Sequence, residues 1–133
     1  MTSLTARSVG RRLAPAALAD VLAVLVFAAV GRSSHAEGVT APGVLETAAP
    51  FLLGLLAGWL AGRVWRAPSG LPLGVAAWAG TTVVGLGVRA GLTHRLPLSF
   101  VLVAAVCLAS FLLGWRLLAR AVTHRTRTRR RSI

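Results

Sequence analysis

Four apolar runs, bounded by arginine, glycine or proline, dominate this 133-residue chain. They cover about residues 15–30, 44–65, 71–92 and 96–118. At ~1.5 Å per helical residue, about twenty residues cross the ~30 Å hydrocarbon core of a bilayer. Three runs reach that length, and the first, at ~24 Å, needs only a few flanking residues. Lipid offers the backbone no hydrogen-bond partners, so such runs must be helical. The fold expected is all-α, a polytopic membrane bundle of four transmembrane helices. Residues 1–13 would form a polar N-terminal segment, 14–118 the transmembrane domain and 119–133 a polybasic tail.

Composition points the same way. Hydrophobic residues make up 56% and charged residues 14%, against about 45–50% and about 25% in soluble domains. The Arg11-Arg12 pair before an apolar run resembles an export signal, but Asp20 interrupts that run and three more follow, which speaks against cleavage. Cys107 is the sole cysteine, so neither an intrachain disulfide nor a cysteine-based metal cluster is available.

All fifteen basic residues besides histidine are arginine. Twelve fall in the N-terminal segment, around the 63–70 loop, or from Arg116 to the end of the chain; only Arg32, Arg89 and Arg95 fall on the other side. The positive-inside rule then places both termini in the cytoplasm and the protein in the cell (inner) membrane. The tail, with Arg120, Arg125, Arg127, Arg129, Arg130 and Arg131, is suited to anionic lipid headgroups. It lacks the aromatic residues on which nucleic-acid bases stack, so nucleic acid is not an expected partner.

The spans carry packing and polar signals. Gly54, Gly58 and Gly62 lie four apart on one face of the second span, a spacing that lets two backbones approach closely. That face could meet a neighbouring span or a second copy of the chain. Ser110 and Gly114 form a similar pair in the fourth span. The third span is the least apolar, with Thr81, Thr82 and Arg89, and is expected to be the most enclosed by protein. The short link around Thr93–Arg95 makes the third and fourth spans antiparallel neighbours. Residues 31–43 read as an exit loop, with Gly31, Gly38, Pro42 and Gly43 as breakers, and Pro15 reads as a first-turn proline.

Asp20 is the charge that the bilayer tolerates least. It lies ~8 Å into the first span by helical rise, where a carboxylate needs a partner, water or a proton. Trp59 and Trp78 fall at similar depth and carry indole N–H donors; Arg63 and Arg116 lie just below. Trp65 and Trp115 read as interface anchors. Arg89 lies ~27 Å from that side, level with Arg32 and Glu46 and near His35, Glu37, His94 and Arg95. These residues form a candidate outer cluster, either a salt-bridged clasp or a site. Asp20, Thr81, Thr82 and Arg89 form a candidate intramembrane polar set. No catalytic triad, phosphate loop or metal-ligand spacing is present, so neither enzyme activity nor a cofactor or metal is expected.

Asp20, the GRSSHAEG loop at 31–38, Pro50-Phe51, Trp78, the stretch from Thr81 to Arg89 and the closing Gly114-Trp115-Arg116 together resemble the small bacterial and archaeal membrane proteins grouped as domain of unknown function 3054. The resemblance covers about residues 14–120, and the loop is its most specific part. It implies a four-helix membrane protein and no activity. Asp20, Arg32, His35, Arg89 and Arg116 match its polar positions.

Three functions compete. The first is a non-enzymatic membrane module that packs or assembles, with itself or another membrane protein, through small-residue helix faces. The second is a small-solute or ion transporter or channel using Asp20 and Arg89. The third is a membrane enzyme built on His35 and Glu37.

Overall fold

The computed structural model describes residues 2–34, 38–68, 70–95 and 97–132, with side chains from residue 13 onward apart from that of residue 34. Four α-helices follow one another: α1 (Thr2–Ser34), α2 (Ala41–Gly62), α3 (Leu71–Thr93) and α4 (Leu98–Arg131). Each is long and apolar enough to cross a membrane. α2 and α3 are ~33–35 Å long by helical rise, matched to one bilayer crossing, whereas α1 and α4 reach ~50 Å and project beyond it.

The helices form a closed ring. α1 packs on α2, α2 on α3, α3 on α4 and α4 back on α1, while among the described residues the backbones of the diagonal pairs stay apart. Neighbours run antiparallel: Arg32 at the end of α1 reaches Thr47 near the start of α2, and Arg89 late in α3 lies over Phe100 early in α4. The ring therefore has two ends. One carries the α2–α3 turn and the outgoing parts of α1 and α4; the other carries the α1–α2 and α3–α4 connections. Val24, Phe27, Phe51, Leu55, Ala77, Leu108 and Leu112 fill the centre, with the Phe27 and Phe51 rings edge to face at 5.0 Å.

The tightest seam joins α2 to α3. A methyl group on Gly54 would come 2.6 Å from the Gly80 carbonyl oxygen, and one on Gly58 2.6 Å from that of Ala76. At Gly62 such a methyl group would instead meet the side chains of Leu73 and Ala76, each at 2.8 Å. In lipid there is little hydrophobic drive between helices, so attraction comes from this backbone-to-backbone approach. The α2 glycine face is filled by α3 and is not open to a second copy. α3 has the largest buried share of the four spans, 39% of its most apolar window.

Helix ends differ from the sequence reading, and capping is the reason. The exit loop is shorter than 31–43, because α1 runs on through Gly31 to Ser34 and α2 begins at Ala41. Thr40 caps α2 by accepting a hydrogen bond from the Gly43 N–H at 3.2 Å, and Pro42 falls in the first turn, where no N–H is needed. α2 stops at Gly62 rather than near Trp65, because Arg63 takes a left-handed conformation (φ 54°) and Val64 N–H returns to the Trp59 carbonyl, a helix-ending pattern. Pro15 lies inside α1, not at its first turn, since the helix starts at Thr2. α4 continues as helix through the basic stretch to Arg131, and residues 119–132 are exposed.

Candidate functional site

Asp20 is fully buried, and its carboxylate is saturated. Oδ1 accepts from Arg116 Nη1 at 2.7 Å and Trp115 Nε1 at 2.8 Å. Oδ2 accepts from Arg116 Nη2 at 2.8 Å and Trp59 Nε1 at 2.9 Å. Four donors meet the roughly four lone-pair positions of an ionised carboxylate. The Arg116 guanidinium, also fully buried, engages as a two-pronged fork, the strongest geometry for this pair. Its remaining terminal N–H groups go to the carbonyls of Leu112 at 2.8 Å and Pro68 at 3.0 Å, leaving Nε without an acceptor.

Every helix contributes to this knot. α1 supplies the carboxylate, and α4 supplies Trp115 and Arg116. α2 supplies Trp59, whose own carbonyl anchors the turn that ends the helix. α3 supplies an absence: a methyl group on Gly74 would lie 2.8 Å from Arg116 Cδ, so glycine there leaves room for the arginine stem. Pro68 adds the α2–α3 turn. Removing two charges from water costs several kcal/mol per ion, offset only where geometry is excellent and the remaining groups are bonded. Here the geometry is excellent, and every remaining polar group of the pair except Arg116 Nε is bonded. With its lone pairs occupied, Asp20 has no position left for a water molecule.

Depth along the helices offers Asp20 four candidates, Trp59, Trp78, Arg63 and Arg116, and of these Trp59 and Arg116 are its partners. Trp78 and Arg63 are not partners. Trp78 donates instead to the Ala105 carbonyl of α4 at 2.9 Å, and Arg63 is exposed at the α2 cap. Trp115, read from sequence as an interface anchor, is the partner that reading missed; its depth beside Arg116 was the available signal.

The candidate intramembrane set does not gather. Thr81 is buried, and its hydroxyl donates to the Ala77 carbonyl at 2.6 Å within α3. Thr82 is buried with an unpartnered hydroxyl. Arg89 lies with Phe100, sixteen residues along α4 from Arg116, so it stands ~24 Å from the Asp20 knot. The two charges occupy opposite ends of the ring.

At the end away from the knot, Arg32 links α1 to α2. Its Nε donates to the Gly38 carbonyl at 2.9 Å, and its Nη1 donates to Thr47 Oγ1 at 3.1 Å. Gly43 is the seat for this side chain: a methyl group there would fall 2.7 Å from the guanidinium carbon. Sequence reasoning had taken Gly43 for a loop breaker. Arg32 and Arg89 line one narrow cleft with Phe27 and Phe100. Glu46 is exposed and forms no ion pair among the described residues, so no Arg–Glu bridge with Arg89 is present there. His94 is exposed at the α3 cap. His35 and Glu37 lie outside the described residues. No group of three metal-ligating side chains occurs among the described residues.

A second small-residue face remains open. Ser110 is exposed, its hydroxyl turned to the Val106 carbonyl at 2.8 Å, and nothing lies within 4 Å of a methyl group built on Gly114. These residues line a shallow groove of about 360 Å³ with Ala19 and Ala23 of α1, alongside the larger Leu22, Val26, Phe111, Trp115 and Leu118.

No curated protein and no solved structure matches the chain. A family model does match, over residues 17–119, the stretch from just before Asp20 to just beyond Arg116. Four long apolar helices and this match agree with the resemblance carried by the loop and the polar positions: the chain belongs to the family described as protein of unknown function (DUF3054).

Proposed function

We propose that this membrane protein is a non-enzymatic module that assembles, with a second copy or another membrane protein, across the inner half of the α1–α4 seam. The carrying observation is the open small-residue face formed by Ser110 and Gly114 with Ala19 and Ala23. Small residues on a lipid-facing seam admit the close backbone approach that drives helix association. The equivalent face on α2 is already occupied by α3, which leaves this one for an intermolecular contact. The saturated Asp20–Arg116 knot supports a rigid scaffold rather than proton handling.

The orientation proposed has both termini cytoplasmic. Setting aside buried Arg116, eleven arginines still lie on the side of the termini against three on the other. The exposed basic end of α4 would then meet anionic headgroups of the cytoplasmic leaflet.

Cysteine crosslinking in native membranes tests assembly. In a Cys107→Ser background, Ser110→Cys is expected to form a disulfide-linked species. Val83→Cys, equally lipid-facing on α3, is expected to remain uncrosslinked. A chain strictly monomeric in lipid, or crosslinking equal at both positions, contradicts the reading.

A further inference from the structure

The outer half of the same seam has a different chemistry. We propose that it holds one anionic membrane lipid, the phosphate on Arg89 and Arg95 and an acyl chain laid along α4. α1 and α4 are joined at the Asp20–Arg116 knot; toward the opposite end they flank a space of about 620 Å³. Its walls are apolar, with Phe27 and Val30 from α1 and Phe100, Val103, Cys107 and Phe111 from α4. From Ser99 to Phe111 the α4 wall runs ~18 Å by helical rise, close to the depth of one leaflet of a ~30 Å core.

The polar residues sit at one end of this space. Arg89 and Arg95 line it where α3 gives way to α4. Arg89 lies about one turn before the end of α3, at the depth where an arginine reaches the headgroups. Its guanidinium stacks on Phe100 at 4.6 Å, and among the described residues no acceptor takes a hydrogen bond from it. Arg32 lines the adjoining cleft. Glu46, the carboxylate described at this end, lines neither space. An oily slot headed by Arg89 and Arg95, with no carboxylate among its described lining residues, matches a phosphate-bearing amphiphile, because guanidinium groups bind phosphate oxygens in pairs. A zwitterionic lipid brings its own cation to the same arginines and is disfavoured.

The basic end of α4 also attracts anionic lipid, at the other end of the ring and without a pocket, so the test must separate the two. The full chain is placed in phosphatidylcholine nanodiscs with traces of spin-labelled phosphatidylglycerol or spin-labelled phosphatidylcholine. The fraction of motionally restricted label is then read by electron paramagnetic resonance. The anionic label is expected to be restricted about five-fold more than the zwitterionic one, the effect of roughly one arginine contact. The double variant Arg89→Gln/Arg95→Gln removes that preference. Val103→Trp, at an exposed position on the slot wall, lowers restriction of both labels. Replacing Arg125, Arg127, Arg129, Arg130 and Arg131 by glutamine leaves the preference in place. The proposal is overturned if the wild-type chain shows no preference, if the Arg89/Arg95 variant keeps it, or if the tail variant alone abolishes it. Assembly across the inner half of the seam is read separately by crosslinking, so either proposal can fail without the other.

Discussion

A methyl group on Gly80 of α3 would lie 2.6 Å from the Cα of Gly58 on α2, so the two backbones touch with no side chain between them. Gly80→Ala must push the helices apart, because the obstructing atom is backbone and cannot swing aside. Overpacking of this kind costs about 1–3 kcal/mol. Gly114→Ala meets open space and is expected to be neutral or to gain up to about 1 kcal/mol from helix propensity. Unfolding of both variants in mixed micelles, followed by circular dichroism, checks the contrast.

The two half-buried indoles should differ in worth. Trp59 donates to the Asp20 carboxylate and Trp78 to a neutral carbonyl. Hydrogen bonds to charged groups contribute about 1.5–3 kcal/mol and neutral ones about 0.5–1.5. Trp59→Phe is therefore expected to lower stability more than Trp78→Phe, measured by the same unfolding assay. Equal losses would mean that ring packing, not the N–H, sets the cost.

Arg63 and His94 end their helices in left-handed conformations with φ of 54° and 55°. An L-residue with a side chain loses about 1–2 kcal/mol there, whereas glycine does not. Both side chains are exposed, so little contact is forfeited on removal. Arg63→Gly and His94→Gly are each expected to raise the melting temperature. Arg120→Gly, in the interior of α4, is expected to weaken its helix by about 1 kcal/mol.

The helices were legible because each apolar run reports bilayer thickness directly. Their ends were less so: Thr40 and Arg63 set them through caps that hydropathy does not register. Depth, counted in residues from the membrane edge, brought Trp59 and Arg116 to Asp20. Depth says nothing about rotation around a helix axis, which is why Trp78 turns to Ala105 and Trp115 turns inward. The spacing of Gly54, Gly58 and Gly62 announced a close contact but not its occupant. The slot below Arg89 was not legible at all, because its walls come from α1, α3 and α4 together, a property of the assembled ring.

The central claim is that Asp20 and Arg116 close the ring as a structural pair. A double-mutant cycle in lipid nanodiscs tests it most directly. Asp20→Asn and Arg116→Met should each cost about 3–5 kcal/mol, because each strands a buried partner. Asp20→Asn/Arg116→Met removes both charges, completes the cycle and should regain most of that loss. Contradiction would come from an Asp20→Asn variant as stable as the wild type, or from a double variant whose loss is the sum of the two single losses.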